Sequence, residues 1–211
     1  MSAESRLITC AADLAEGAAW LAQTEPRFAP VLDQIGPLPL RLKPPGFKGL
    51  VEIIISQQVS VASADAIRKR LEAAGLYHPQ QVVRVGQEGL RAAGLSRPKA
   101  RYIEALALQG PDYTALHDLP DAAAMTALTA VLGIGPWTAQ IYVMFCMGRA
   151  DMFPPGDLAL QEAAKVLFDL PRRPTPTALA GLAQDWSPWR SVAARALFAY
   201  YRMIKQREGL G

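Results

Sequence analysis

The run Leu128-Thr-Ala-Val-Leu-Gly-Ile-Gly-Pro-Trp-Thr-Ala139 decides how this chain reads. Alanine- and leucine-rich sequence leads into it from Asp121 and leaves it toward Met147, with the spacing of three and four that marks a helix. Between the two helices Gly133 and Gly135 flank one isoleucine, and Pro136 stands where proline suits the first helical position. So short a link must turn tightly, and glycine supplies the positive φ and the close backbone approach that such a turn needs. Ile134 is expected to point inward and lock the helices together. The N–H groups at the start of the second helix, with the positive end of its dipole, form an anion site. The alternative is a plain helix–helix turn that happens to use glycine.

Helical patterning continues outward from this run. Helices are expected at Cys10–Gln23, Arg27–Ile35, Phe47–Gln57, Ser60–Ala74, Pro79–Val83, Gln87–Ala93 and Pro98–Gln109. Further helices are expected from Asp121 to Val131, from Pro136 to Met147, from Asp157 to Phe168, and over Ala178–Gln184 and Pro188–Gln206. Ser60, Ser96, Asp121 and Asp157 are the expected N-caps, and Gly75 and Gly94 the stops. Residues 36–46 hold four prolines and two glycines and must be an extended connector. The tail from Glu208 is expected to fray. The fold class is therefore all-α.

At 211 residues the chain is long enough for one compact domain or two small lobes sharing a cleft. With 51% hydrophobic residues it can bury a real core. A net charge of +3 permits a polyanionic partner without demanding one. The two cysteines, Cys10 and Cys146, form no CxxC and no cluster with His78 and His117, which argues against a zinc or iron–sulfur site. No signal peptide is visible in the first ten residues, and no apolar run approaches the ~20 residues of a membrane span. A cytoplasmic protein, associated with the nucleoid and monomeric, is expected.

The second informative stretch is Met152-Phe-Pro-Pro-Gly-Asp-Leu-Ala-Leu160. Asp157 follows Gly135 by 22 residues (157 − 135), enough for one helix and a return loop. Prolines 154 and 155 stiffen the approach, and Gly156 relieves crowding beside the carboxylate. Asp157 is then either a catalytic carboxylate or the cap of the helix beginning at Leu158, and the two roles are compatible.

Gly-hydrophobic-Gly, one helix, then a Pro/Gly loop ending in Asp resembles the helix–hairpin–helix-GPD superfamily of DNA glycosylases. Within it the chain is most similar to the 3-methyladenine DNA glycosylase II branch, through Phe47-Lys-Gly-Leu-Val-Glu-Ile-Ile-Ile-Ser-Gln-Gln-Val-Ser60, the hairpin, the Asp157 loop and Trp186-Ser-Pro-Trp-Arg-Ser191. The likeness runs from about residue 10 to 206. It does not include the N-terminal β-rich domain of larger members, and Leu132 stands where a proline is common.

The resemblance implies two helical lobes with a cleft between them, lobe A about 1–46 plus 152–211 and lobe B about 47–151, with the hairpin near 121–147. It implies a double-stranded DNA partner carrying alkylated bases and a monofunctional glycosylase that removes 3-methyladenine- or 7-methylguanine-type purines after flipping them out of the duplex. Asp157 takes the catalytic position. Trp137 and Phe198 fall at aromatic pocket positions, where a π face suits a cationic ring, although Phe198 also reads as core packing. Bifunctional relatives carry a Schiff-base lysine where this chain has Trp137, so strand cleavage is not expected. Gln58 stands in the turn that fills the hole left by the flipped base. Gly133, Ile134, Gly135 and Thr138 are the expected strand contacts. No cofactor is implied for catalysis and no iron–sulfur cluster, but a monovalent cation (Na⁺ or K⁺) is implied at the carbonyls of Thr129, Val131 and Ile134. Lys99, Arg101, Arg149 and Arg190 are either phosphate contacts or solvated charges. Two rival readings remain: a non-catalytic helix–hairpin–helix DNA-binding protein, and a glycosylase for a different lesion such as a mismatched thymine or an oxidised purine.

Overall fold

The computed structural model describes residues 6–207, and the expectation for the tail from Glu208 lies outside them. Among the described residues the regular structure is helical, apart from one antiparallel bridge between Leu7 and Arg149. Helices α1 (Ala11–Thr24) and α2 (Ala29–Ile35) lead into the proline-rich connector. There follow α3 (Phe47–Ser56), α4 (Val61–Ala73), α5 (Pro79–Ala92), α6 (Arg97–Gln109), α7 (Tyr113–Asp118), α8 (Asp121–Thr129) and α9 (Pro136–Phe145). The chain returns with α10 (Leu158–Leu167), α11 (Pro176–Leu182) and α12 (Arg190–Arg207). No helix among the described residues is long and apolar enough to cross a membrane.

The chain divides into two compact units, Met1–Leu42 with Gly148–Gly211 and Lys43–Met147. Both crossings precede the expected ones by four residues, and hydrogen bonds explain why. Ile8 N–H donates to the Gly148 carbonyl (2.6 Å) and Ala150 N–H to that of Arg6 (2.9 Å), so Gly148–Ala150 belongs with the N-terminal segment. The end of the connector is held to α9, through Lys43 N–H to the Phe145 carbonyl (2.9 Å) and Gly46 N–H to the Tyr142 hydroxyl (2.7 Å).

In the unit of Lys43–Met147, α3 is the central element. Phe47, Leu50, Val51, Ile53, Ile54 and Ile55 are all buried, a helix apolar nearly all round as a core helix must be. It packs on α9, α4 and α6. In the other unit α12 takes that place, packing on α10, α2 and α1. Phe28, Phe153, Phe168 and Trp186 form an aromatic cluster there, with centroids 5.3–5.9 Å apart.

Some expectations need correction. Helix α7 was not anticipated, because six residues are too few to show a 3.6-residue period. It is initiated by Asp112, whose Oδ1 accepts from Thr114 N–H (2.9 Å) and Ala115 N–H (3.2 Å). Asp121 is not a cap but the first helical residue, because Pro120 holds the extended cap position. The two short helices expected either side of Gly86 are present as the two arms of α5, which is interrupted at Gly86 by a non-helical backbone (φ 61°, ψ −165°).

Candidate active site and nucleic-acid interface

The two-glycine turn is built as its sequence requires, but its glycines serve different ends. Gly133 has φ +87°, and a Cβ there would lie 2.2 Å from Cγ of Tyr102, so both conformation and packing demand glycine. Gly135 is extended (φ −82°) and a Cβ on it would meet nothing within 4 Å. Nothing in the chain's own packing asks for glycine at 135, although glycine suits the N-cap of a helix. Ile134 is 3% exposed and donates its N–H to the Val131 carbonyl (3.1 Å), closing the turn. Gly135 is the N-cap of α9 and Pro136 its first residue, so the first-turn amides have no intrahelical acceptor by position. Thr138 is buried and its hydroxyl accepts from the Gln57 side-chain amide (2.9 Å), so it can meet a strand only through its main chain. Trp137 is half-buried in the same turn.

Helix α8 ends at Thr129, and the carbonyls of Thr129, Val131 and Ile134 lie in the passage from its C-terminus into the turn. Of these, the Thr129 carbonyl lies at the negative end of the α8 dipole, and the Val131 carbonyl also accepts from Ile134 N–H (3.1 Å). Among the described residues no cluster of His, Cys, Asp and Glu could hold another metal.

The turn after α3 lies in the same unit. Gln58 has φ +53°, a left-handed conformation that a non-glycine residue adopts at a cost, and its side chain is exposed. Val59 and Val61 are exposed beside it, the latter by 78%. Ser60 caps α4 by accepting from Ser63 N–H (3.2 Å). Lys99 is neither a solvated charge nor poised for a phosphate. Its Nζ donates to the carbonyls of Ile55 (2.8 Å) and Gln57 (2.6 Å), and burial pushes its pKa down.

Asp157 and Phe198 belong to the other unit. Asp157 is the N-cap of α10, half-buried, with Oδ1 accepting from Ala159 N–H (2.9 Å). The loop before it is pinned at several points. Asp157 N–H donates to the Pro154 carbonyl (3.1 Å), and the Gln161 side-chain amide donates to that of Pro155 (2.9 Å). Ser191, fully buried at the start of α12, accepts from Met152 N–H (3.1 Å) and has its hydroxyl within reach of the carbonyls of Arg149 (2.6 Å) and Met152 (2.8 Å). Arg190 is not left for a phosphate, since its Nε and Nη2 grip the two oxygens of Asp151 (2.7 and 2.8 Å). Arg149 is 8% exposed and therefore no solvated charge, whereas Arg101 is exposed. Phe198 is half-buried, one residue beyond the buried run Ser191–Leu197 of α12.

The structure thus gathers Gln58, Gly133–Gly135, Trp137 and Thr138 in one unit and sets Asp157 and Phe198 in the other. Sequence reasoning missed Gln57, Tyr102, Asp151, Gln161 and Ser191. Asp151 borders one quoted motif and Ser191 ends another, but their partners lie about 40 residues away, and no local period reports such pairs.

The family profile described as HhH-GPD superfamily base excision DNA repair protein matches residues 51–188. The crystal structure of a DNA-3-methyladenine glycosidase from Bacillus halodurans superposes with a TM-score of 0.79 at 31% identity, covering 90% of this chain and 91% of that one. The Schizosaccharomyces pombe 3-methyladenine DNA glycosylase Mag1, solved in complex with abasic DNA, superposes with a TM-score of 0.74 at 23% identity, covering 88% and 95%. The Bacillus subtilis protein YfjP, named after DNA-3-methyladenine glycosylase, is 30% identical over 173 residues, which are 76% of this chain. The match spans 60% of the length of YfjP.

Proposed function

Because this chain belongs to the HhH-GPD superfamily of base excision DNA repair proteins, we propose that it is a monofunctional DNA glycosylase that hydrolyses the N-glycosidic bond of alkylated purines in duplex DNA. The reading is carried by one observation: Asp157 ends a loop fixed by Ser191, Gln161 and the aromatic cluster, so a carboxylate is held with defined orientation in a chain that keeps the two-glycine turn. A module that only bound DNA would gain nothing from such bracing, and the charge would repel the strand.

A purine methylated at N3 or N7 carries positive charge and leaves without being protonated. The enzyme must stabilise the sugar as it becomes oxocarbenium-like and help water to attack. One preorganised carboxylate does both, as counter-charge and as general base, and Asp157 takes that role. The cap bond from Ala159 fixes its rotamer. Trp137 and Phe198 offer π faces to the cationic base and recover part of the unstacking cost. The amides at Gly135 and the first turn of α9 anchor a phosphate of the lesion strand. The carbonyls of Thr129, Val131 and Ile134 would hold a Na⁺ or K⁺ that adds positive charge toward that phosphate. Trp137 at the lysine position of bifunctional relatives leaves no Schiff-base amine, so the abasic strand stays intact.

The test is incubation of the purified protein with methylated duplex DNA, with chromatography of freed bases. Released 3-methyladenine and 7-methylguanine, with strand breaks only after alkali, are expected. If excess enzyme frees no modified base the reading fails, and release of thymine or an oxidised purine alone would assign another lesion.

A further inference from the structure

Helix α6 lies under both turns that the proposed glycosylase reading brings to DNA. At its first turn the Lys99 ammonium donates to the carbonyls of Ile55 and Gln57 at the end of α3. Those oxygens sit at the negative end of a helix dipole, where the last carbonyls lack intrahelical donors. The ammonium is therefore a charged C-cap supplied by a different helix, through hydrogen bonds of the stronger, charge-assisted kind. Immediately after them Gln58 takes its φ of +53°. A non-glycine residue in that region costs about 1–3 kcal/mol and persists only where its surroundings over-determine it. Lys99 supplies the restraint on the carbonyl side. The Gln57 side chain supplies a second, bonding Thr138 in the first turn of α9 (2.9 Å).

Three residues further along α6, on the same face, the Tyr102 ring packs against Gly133 of the hairpin. One helix thus sets the distance between the Gln58 turn and the two-glycine turn. The turn borders a cavity of about 320 Å³ whose lining includes Gln57, Gln58, Ser63, Ser96 and Lys99. On the side facing this cavity, polar restraints contribute to holding the turn's shape.

We propose that Lys99 is a positioning residue for base flipping, holding the Gln57–Gln58 turn in the strained shape that presents Gln58 to the duplex at a spacing from the hairpin fixed by α6. The inference rests on the glycosylase reading. Two of its three N–H donors are engaged by carbonyls, so the side chain acts through the turn and not through a phosphate. Lys99→Met keeps the length and apolar stem but leaves both carbonyls without their donor. The turn then relaxes, and the step that suffers is extrusion of a stacked, paired base.

The experiment compares single-turnover release of 7-methylguanine from two duplexes, one with the lesion paired to cytosine and one with it unpaired in a single-nucleotide bulge. In the bulge most of the unpairing cost is already met. For Lys99→Met the paired-to-bulged rate ratio is expected to fall by about tenfold or more, the scale of one lost charge-assisted hydrogen bond. Lys99→Arg, whose guanidinium can still donate to both carbonyls, is expected to keep the ratio within about threefold of wild type. An unchanged ratio in Lys99→Met overturns the proposal. So does an equal loss on both duplexes, which marks a general structural or phosphate-binding role. Should Lys99→Met fail to fold by circular dichroism, Lys99→Gln replaces it under the same criteria. If the wild type frees no 7-methylguanine from either duplex, the glycosylase reading falls and takes the inference with it; if it does and only the ratio fails to move, the inference alone is lost.

Discussion

At the scale of single residues, Gly133 and Gly135 separate two reasons for being glycine. Alanine at 133 must adopt φ +87° and drive its Cβ into the Tyr102 ring. The conformational penalty is about 1–2 kcal/mol before the clash is counted. At roughly 2–4 °C per kcal/mol for a chain of this size, Gly133→Ala is expected to lower Tm by about 5 °C or more in calorimetry. Gly135→Ala has an ordinary backbone and open space and gives up only the N-cap preference for glycine, so its Tm should fall by no more than about 3 °C, less than in Gly133→Ala. Its effect should appear in fluorescence-anisotropy titrations with duplex DNA, where a methyl group in front of the amides holds the phosphate off and weakens binding. Equal thermal losses in the two variants, or undiminished DNA affinity in Gly135→Ala, would contradict this division. The glycines and Asp157 were legible in the sequence because turns and caps are local chemistry. The fate of the cations was not. Lys99 answers to carbonyls 42 and 44 residues away and Arg190 to Asp151, and a charge read in isolation always looks solvated.

At the scale of elements, Asp157 serves as cap and as carboxylate, and substitution can part the two. Asparagine caps a helix about as well as aspartate, whereas alanine forfeits about 0.5–2 kcal/mol. Asp157→Asn should therefore leave the Tm within about 2 °C of wild type and reduce base release by about 10²–10³ or more, because only the charge is gone. Asp157→Ala should lose a similar activity and also melt several degrees lower. Full activity in Asp157→Asn would remove the mechanism while leaving the fold untouched. Elements also show where patterning stops being informative. Apart from α5, which was read as its two arms, helices of nine residues or more announced themselves by periodicity, to within a few residues at each end. The six residues of α7 did not, since its start is written in the Asp112 side chain and not in a repeat. The aromatic cluster around Trp186 likewise draws Phe28, Phe153 and Phe168 from distant segments that local pattern does not link.

At the scale of the whole molecule, the chain leaves one unit after Leu42 and re-enters it at Gly148, so α1 and α2 gain their partner α12 only when the last residues are in place. The two units also differ in what they bury. Around α12 one packs Phe28, Phe153, Phe168 and Trp186, none of which titrates, and the ionisable side chains buried there among the described residues, Arg149 and Arg195, are cations and not acids. The unit of Lys43–Met147 buries a thiol and a phenol: Cys146 is 7% exposed and Tyr142 fully covered, and burial pushes each up to about 12. A folded-state pKa raised above its unfolded value means stability fully present below the unfolded value and lost as pH climbs toward the folded one. For Cys146 that window opens at its ordinary value of 9.0 and for Tyr142 at 10.0. Within it each group removes up to about 1.4 kcal/mol per pH unit. Urea melts should therefore show stability level between pH 7.5 and 8.5 and clearly lower by pH 10.5. Tyr77 and Tyr113 of the same unit are likewise pushed up by burial, and Cys146→Ala should flatten the start of that decline by removing the titration that opens at the lowest pH. Hydrogen exchange, corrected for its intrinsic pH dependence, should report α9 losing protection at a lower pH than α12, because the ionisable core lies beneath α9. A decline of the same slope in Cys146→Ala, or α12 opening first, would mean that alkaline instability arises elsewhere than in the buried acids of the unit that carries the hairpin.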